Sequence, residues 1–310
     1  MSLPKFNNVD LHTVLGLSPK LISSARGIST KLLAMALLVS FASCSSDTSD
    51  VIETCPTSTD LEGYSLIWSD EFDGDVLDES KWSYDLGDGC DQGEGLCGWG
   101  NNELEFYTDR TENVFLDDGK LVIRAIREFP AYLNEHTYTS GRIVTKNKED
   151  WTYGRMDVRA KLPIGQGIWP AIWMLHTDTI YGRWPKSGEI DIMENVGNEP
   201  SKVFGTIHYG HDFWRFTSVD TILPQERFTD EFHTFSAIWT ENCIQFLLDG
   251  EFYGVPNTRS SVLPTTWPFD QDFHMILNLA VGGNLPGNPD ASTQFPQQME
   301  VDYVRVYQKS

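Results

Sequence analysis

Apolar and polar residues alternate along most of the chain in short runs, as in Arg155-Met156-Asp157-Val158-Arg159-Ala160. A period of two sends successive side chains to opposite faces, which is how a half-buried β-strand reads. Such runs predict strands over Leu66–Trp68, Lys120–Ile126, Gly141–Thr145, Tyr153–Lys161, Ala171–Leu175, Val203–Tyr209, His233–Trp239, Ile244–Leu248, Phe273–Ala280 and Val301–Tyr307. Turn-forming Gly, Pro, Asn and Asp separate them. No amphipathic helix of useful length and no internal repeat stands out. Many short strands between turns imply an all-β sandwich or barrel, and about 250 residues suits one such domain.

One run breaks the pattern. In GEIDIMENVG, residues 188–197, the acids Glu189, Asp191 and Glu194 are interleaved with Ile190, Ile192 and Met193. Glu189 and Asp191 share a face, but Glu194 is five residues from Glu189 and falls on the apolar face of a regular strand. One residue bulged out near Ile192 or Met193 would bring all three carboxylates to one side. Such crowding is costly unless one group keeps its proton, which is the state a general acid requires.

The formal net charge of −22 argues against nucleic acid and against a polyanionic substrate, both of which this field would repel; it equally serves the solubility of an exported protein. Export is the reading of the N-terminus. Arg26 and Lys31 precede the apolar run Leu32–Val39, too short to span a bilayer and of the length of a signal h-region. The following Phe41-Ala42-Ser43-Cys44 resembles a bacterial lipoprotein processing site, which implies that Cys44 is the lipidated first residue and that Ser45 disfavours inner-membrane retention. Ordinary secretion is the alternative. Residues 1–44 are therefore expected to be removed, 45–60 to form a flexible Ser/Thr/Asp/Pro linker, and 61–310 to form the catalytic domain. Without Cys44 four cysteines remain; Cys90 and Cys97 share a Gly- and Asp-rich loop and are the expected pair, with Cys55 and Cys243 left open. No zinc-ligand spacing is present.

Aromatic clusters flank the acid run: Trp99, Trp169, Trp173 and Trp184. A sugar presents apolar C–H faces and a rim of hydroxyls, so its site needs flat rings to stack on and polar groups for the rim. Trp173 reads equally well as core. Paired carboxylates with aromatic platforms point to glycoside hydrolysis. With the bulge, Glu189 and Glu194 lie four strand positions apart, roughly 13 Å between Cα atoms at about 3.3 Å per residue. Side chains leaning together close this towards the separation of about 5–5.5 Å of a retaining enzyme. A serine-hydrolase elbow and a phosphate loop are both absent, and His208 and His211 do not make a metal pair.

The motif EIDIME, together with GWGNNELEFYT, SGRIVTK, YGRMDVRAKLP, GIWPAIWML, GTIHYG, PFDQDFHMILNLAVGGNLPGNP and MEVDYVRVYQ, resembles glycoside hydrolase family 16, in particular its bacterial laminarinase-like endo-β-1,3-glucanases, over nearly all of residues 64–308. The resemblance implies a concanavalin-like β-jelly-roll sandwich of two curved antiparallel sheets, with a substrate cleft on the concave face. It implies Glu189 as nucleophile, Glu194 as acid/base and Asp191 as the carboxylate that tunes them. It matches His208 to a cleft histidine near the acid/base, and Asn102, Arg142, Trp169 and Trp184 to glycone-side sugar contacts; Trp99 joins the substrate-binding set. It also implies a structural calcium held by Glu71, Gly119 and Asp302, the first two through backbone oxygens, and no cofactor for catalysis.

The expected function is hydrolysis of laminarin-type β-1,3-glucan by an exported monomer, lipid-anchored at the cell envelope. Mixed-linkage glucan or a marine galactan is the alternative substrate, and a non-catalytic glycan-binding lipoprotein of the same fold is the alternative class.

Overall fold

The computed structural model describes residues 55–262 and 265–309. The expected export segment and Cys44 lie outside the described residues. Two sheets face one another across one core, as the strand-rich pattern requires. The first has seven strands in the order Arg215–Ile222, Lys202–Tyr209, Glu189–Glu194, Ile168–His176, Phe273–Val281, Arg142–Val144 and Ser83–Tyr84. The second runs Glu251–Thr258, Cys243–Leu248, His233–Thr240, Gly154–Lys161, Gln297–Lys309, Leu121–Tyr132, His136–Ser140 and Glu105–Tyr107. Two further strands flank it: Tyr64–Asp70 pairs with Gln297–Lys309, and Val114–Leu116 with Leu121–Tyr132. Pairing is antiparallel except between Glu105–Tyr107 and His136–Ser140, which run parallel. This is the jelly-roll sandwich.

Alternation explains how one strand serves both core and cleft. On Phe273–Val281, Met275, Leu277, Leu279 and Val281 enter the core, while Asn278 and Ala280 line the outer surface of the sheet. Met156, Val158 and Ala160 of the second sheet join Ile172, Met174 and Ile190 of the first in the same core. Every strand expected from alternation is present, several longer by one to six residues. Helical structure among the described residues is limited to three short 3-10 segments.

The stretch expected to be a linker is tied to the domain from Cys55 onward. Cys55 forms a disulfide with Cys243, and the Arg155 guanidinium donates to the Thr59 carbonyl. The Ser/Thr/Pro composition suggested a tether because it carries no apolar pattern; a covalent bond and an arginine supply the anchoring instead. The ordered domain thus begins before residue 61.

Candidate active site

The acid strand Glu189–Glu194 lies third from one edge of the seven-stranded sheet. Against one neighbour, Glu189 pairs with Leu175, Asp191 with Trp173, Met193 with Ile172 and Glu194 with Ala171, leaving Ile192 as the extra residue. Against the other, Asp191 pairs with Thr206 and Glu194 with Phe204, so Ile192 and Met193 together face Gly205. The bulge therefore falls at the expected place. Its consequence is visible in the packing: Ile190, Ile192 and Met193 are all in the core, and Glu189, Asp191 and Glu194 all line the cleft. Between Glu189 and Glu194 the neighbour advances only from Leu175 to Ala171, four positions, as the phase argument required.

Two glycines make this geometry possible. A Cβ on Gly205 would come within 2.5 Å of the Phe246 ring, which reaches across from the opposite sheet. Gly188 has φ +83°, and a Cβ there would meet Pro268 and Phe269 at 2.9 and 3.0 Å, so the chain enters Glu189 through a turn only glycine fits easily.

Indole donors hold the two outer carboxylates. Trp169 Nε1 donates to Glu194 Oε1 at 3.1 Å, and Trp184 Nε1 to Glu189 Oε2 at 2.9 Å. His208 pairs across the strand with Glu189. Its Nε2 is 3.1 Å from Asp191 Oδ2 and 3.7 Å from Glu189 Oε1. The ring thus sits over the Glu189–Asp191 end of the strand, while the register places Phe204 opposite Glu194. Trp214 Nε1 donates to His208 Nδ1 at 3.0 Å. Indole nitrogen is a donor only, so Nδ1 accepts and the neutral ring carries its proton on Nε2, towards the carboxylates. Glu189, Asp191 and His208 bring ligand-type atoms within 4.8 Å of one another, but an N–H facing two carboxylates is not a cation site.

Burial, then the charge of Asp191, push the Glu189 carboxyl up to about 8, against the pull of His208 and the Trp184 N–H. Burial and then Glu194 hold Asp191 well above the usual carboxylate range. Burial also raises Glu194, opposed by His208 and by hydrogen bonds from Trp169 and Thr206. Three such groups cannot all ionise at neutral pH, so the cluster keeps at least one proton.

On one side of the acid strand the cleft is floored by a row that crosses four strands: Glu194, Ala171, Asn278 and Arg142. Arg142 lies 4.2 Å from the Trp99 ring and 4.9 Å from the Trp173 ring, and its Nε is 3.1 Å from Asp85. Trp173 therefore belongs to the cleft, its Nε1 donating to Asn278 Oδ1 at 2.7 Å. Asn102 does not line the cleft. It adopts φ 59° and turns its amide to Asn284 at 2.8 Å, whereas its neighbours Asn101 and Glu103 face the cleft. The Cys90–Cys97 disulfide closes the loop leading to Trp99, whose backbone N–H donates to Asp88 and whose indole donates to Gly87. That loop shapes one end of the cleft. On the other side of the acid strand an exposed aromatic band, Trp184, Trp214 and Phe216, surrounds His208. Trp214, just before the edge strand Arg215–Ile222, and Phe216 within it escape the sequence reading because the run RFTSVDTI carries no apolar alternation; the spacing in Phe213-Trp214-Arg215-Phe216 is the available signal.

The side chains of Glu71 and Asp302, two of the three residues matched to calcium, are engaged with cations of the chain. Both oxygens of Glu71 accept from Arg305 at 2.9 and 2.7 Å, and Asp302 pairs with Arg159 at 2.5 Å. Asp302 is the only carboxylate offered as a side-chain ligand in that set, so an ion there would have to displace Arg159.

A model for Glycosyl hydrolases family 16 matches residues 97–305. Glucan endo-1,3-beta-glucosidase A1 of Niallia circulans is 45% identical over 279 residues, covering 85% of this chain and 41% of that protein, so the chain spans less than half the length of that relative. Beta-glucanase of Rhodothermus marinus is 44% identical over 256 residues, covering 79% of this chain and 85% of that protein. The laminarinase catalytic domain of Thermotoga maritima MSB8 superposes with a TM-score of 0.73 at 42% identity, covering 80% of this chain and 99% of that one. Sandwich, bulged acid strand and family model agree, and the chain belongs to glycosyl hydrolases family 16.

Proposed function

We propose that the chain is an endo-β-1,3-glucanase that cleaves laminarin-type glucan with retention of configuration. The carrying observation is the bulge at Ile192, which sets Glu189, Asp191 and Glu194 on one cleft face between two indole donors. In this reading a Glu189 carboxylate oxygen attacks the anomeric carbon while Glu194 gives its proton to the departing glycosidic oxygen. Glu194, now a carboxylate, takes a proton from water, whose oxygen displaces Glu189 and restores both groups. Asp191, the buried carboxyl between them, shares the retained proton of the cluster with Glu189, and attack uses the form in which Glu189 has given that proton up. Trp99, Trp169, Trp173 and Arg142 stack on and bind the sugars. The relatives named for 1,3-glucan support the substrate, and the cleft-lining Glu103 disfavours a sulfated chain.

The test is reducing-end release from laminarin, lichenan, agarose and carrageenan. Laminarin is expected to be cleaved fastest; release from a galactan and none from laminarin would overturn the substrate. Glu189→Ser should lose at least about 10³-fold in kcat while still binding laminarin, and a fully active variant would remove Glu189 from its role. Glu194→Gln should retain the first step on aryl glucosides with activated leaving groups.

Three proposals rest on the sequence. Cys44 carries the lipid anchor, to be tested by mass spectrometry of the mature N-terminus. The enzyme works as a monomer, to be tested by sedimentation. Calcium binds through Asp302 and the backbone of Glu71 and Gly119, in competition with Arg159; a calcium-dependent rise in Tm that Asp302→Ala abolishes would support it, and a Tm indifferent to calcium and chelator would remove it.

A further inference from the structure

We propose that Trp214 is a positioning residue of this site: it fixes the tautomer of His208, so that the ring turns its Nε2–H towards the reacting carboxylates. The band around His208 is built for it. Trp214 lies nearly parallel to the imidazole, with centroids 5.8 Å apart and planes at 16°, and its indole N–H reaches Nδ1 at 3.0 Å. Phe216, paired with His208 across the next strand, stacks on Trp214 at 5.4 Å and fixes the indole from its other neighbour. An N–H cannot accept, so a proton on Nδ1 would set two donors against each other and break this bond. The proton of the neutral ring is thereby confined to Nε2, 3.1 Å from the buried Asp191 Oδ2, an oxygen with no hydrogen-bond partner among the described residues.

The charged groups within ion-pair distance of the ring, among the described residues, are Glu189 and Asp191. Glu194 lies further along the strand. On the other flanks the ring meets Trp184, Trp214 and Phe216, all uncharged, while His211 pairs with Asp212 in the adjoining turn. With Nδ1 occupied by the Trp214 N–H, Nε2 is the nitrogen that presents a proton to the carboxylates, so Trp214 sets which edge of the ring meets the acids without touching the reacting atoms.

The experiment is nitrogen-15 NMR of the histidine-labelled full chain without substrate, His208 being identified by its loss in His208→Gln. The wild type should give the pattern of a protonated Nε2 and a bare Nδ1. Trp214→Phe, which keeps the ring and removes the N–H, should give mixed tautomers. A wild-type signal with the proton on Nδ1, or an unchanged pattern in Trp214→Phe, overturns the proposal. The measurement needs no substrate, so it decides the tautomer even where the choice of laminarin fails.

Discussion

Replacing Glu189 by glutamine should make the protein more stable, by an amount that grows with pH. The unfolded chain releases the Glu189 proton near the ordinary glutamate value of 4.5, whereas the folded cluster holds it to about 8. Below that interval both states are protonated, and above it both are ionised. Within it the folded state alone keeps the proton, so wild-type stability falls as pH rises, while the glutamine variant has nothing to titrate at this position. Taken in full, the interval corresponds to about 4–5 kcal/mol at 1.36 kcal/mol per pH unit. The side chain retains 17% exposure and faces an open cleft, so solvent screens part of this and about 2 kcal/mol is the expected gain. For a domain of this size that is a Tm difference of about 4–8 °C. Calorimetry of both proteins from pH 4 to 9 should show Tm values that separate through this interval, with the variant higher at the alkaline end. A gap independent of pH, or a wild type that gains on the variant as pH rises, would refute the account of the crowded carboxylates.

Three further outcomes follow from the same geometry. Deleting Met193 restores an unbulged strand while keeping every carboxylate; the protein should fold with about 2–5 kcal/mol less stability, from the lost core side chain, and with weaker activity on laminarin. Unchanged activity in that deletion would show the bulge to be dispensable. Gly205→Ala drives a methyl into Phe246 beneath the bulge and should cost about 1–3 kcal/mol, measured by denaturant titration; full wild-type stability would contradict the packing. Cys90→Ser with Cys97→Ser should raise KM for laminarin more than it lowers kcat, because the loop positions Trp99 at one end of the cleft, and a KM equal to that of the wild type would detach the loop from binding.

How much was legible beforehand depended on what kind of information each feature carries. Alternation revealed the half-buried strands, and a break in alternation located the bulge, because both are local patterns of side-chain direction. Edge strands such as Arg215–Ile222 and Glu251–Thr258 are not legible because much of their surface is exposed, and polar residues such as Thr217 and Thr221 serve at the inward positions of the first. Asn102, matched by motif to a sugar contact, takes a left-handed backbone conformation and turns its amide to Asn284, a local turn that the motif does not reveal. That His208 also lies within ion-pair distance of Glu189 and Asp191 depends on cross-strand register, a relation between distant segments. The anchoring of Cys55 is likewise a contact across 188 residues, invisible to composition.

The central claim, double displacement through Glu189 and Glu194 on β-1,3-glucan, is tested most directly by proton NMR of laminarin during the first minutes of hydrolysis. The account predicts that new reducing ends appear first as the β-anomer and equilibrate to α only by mutarotation. Initial release of the α-anomer would contradict it.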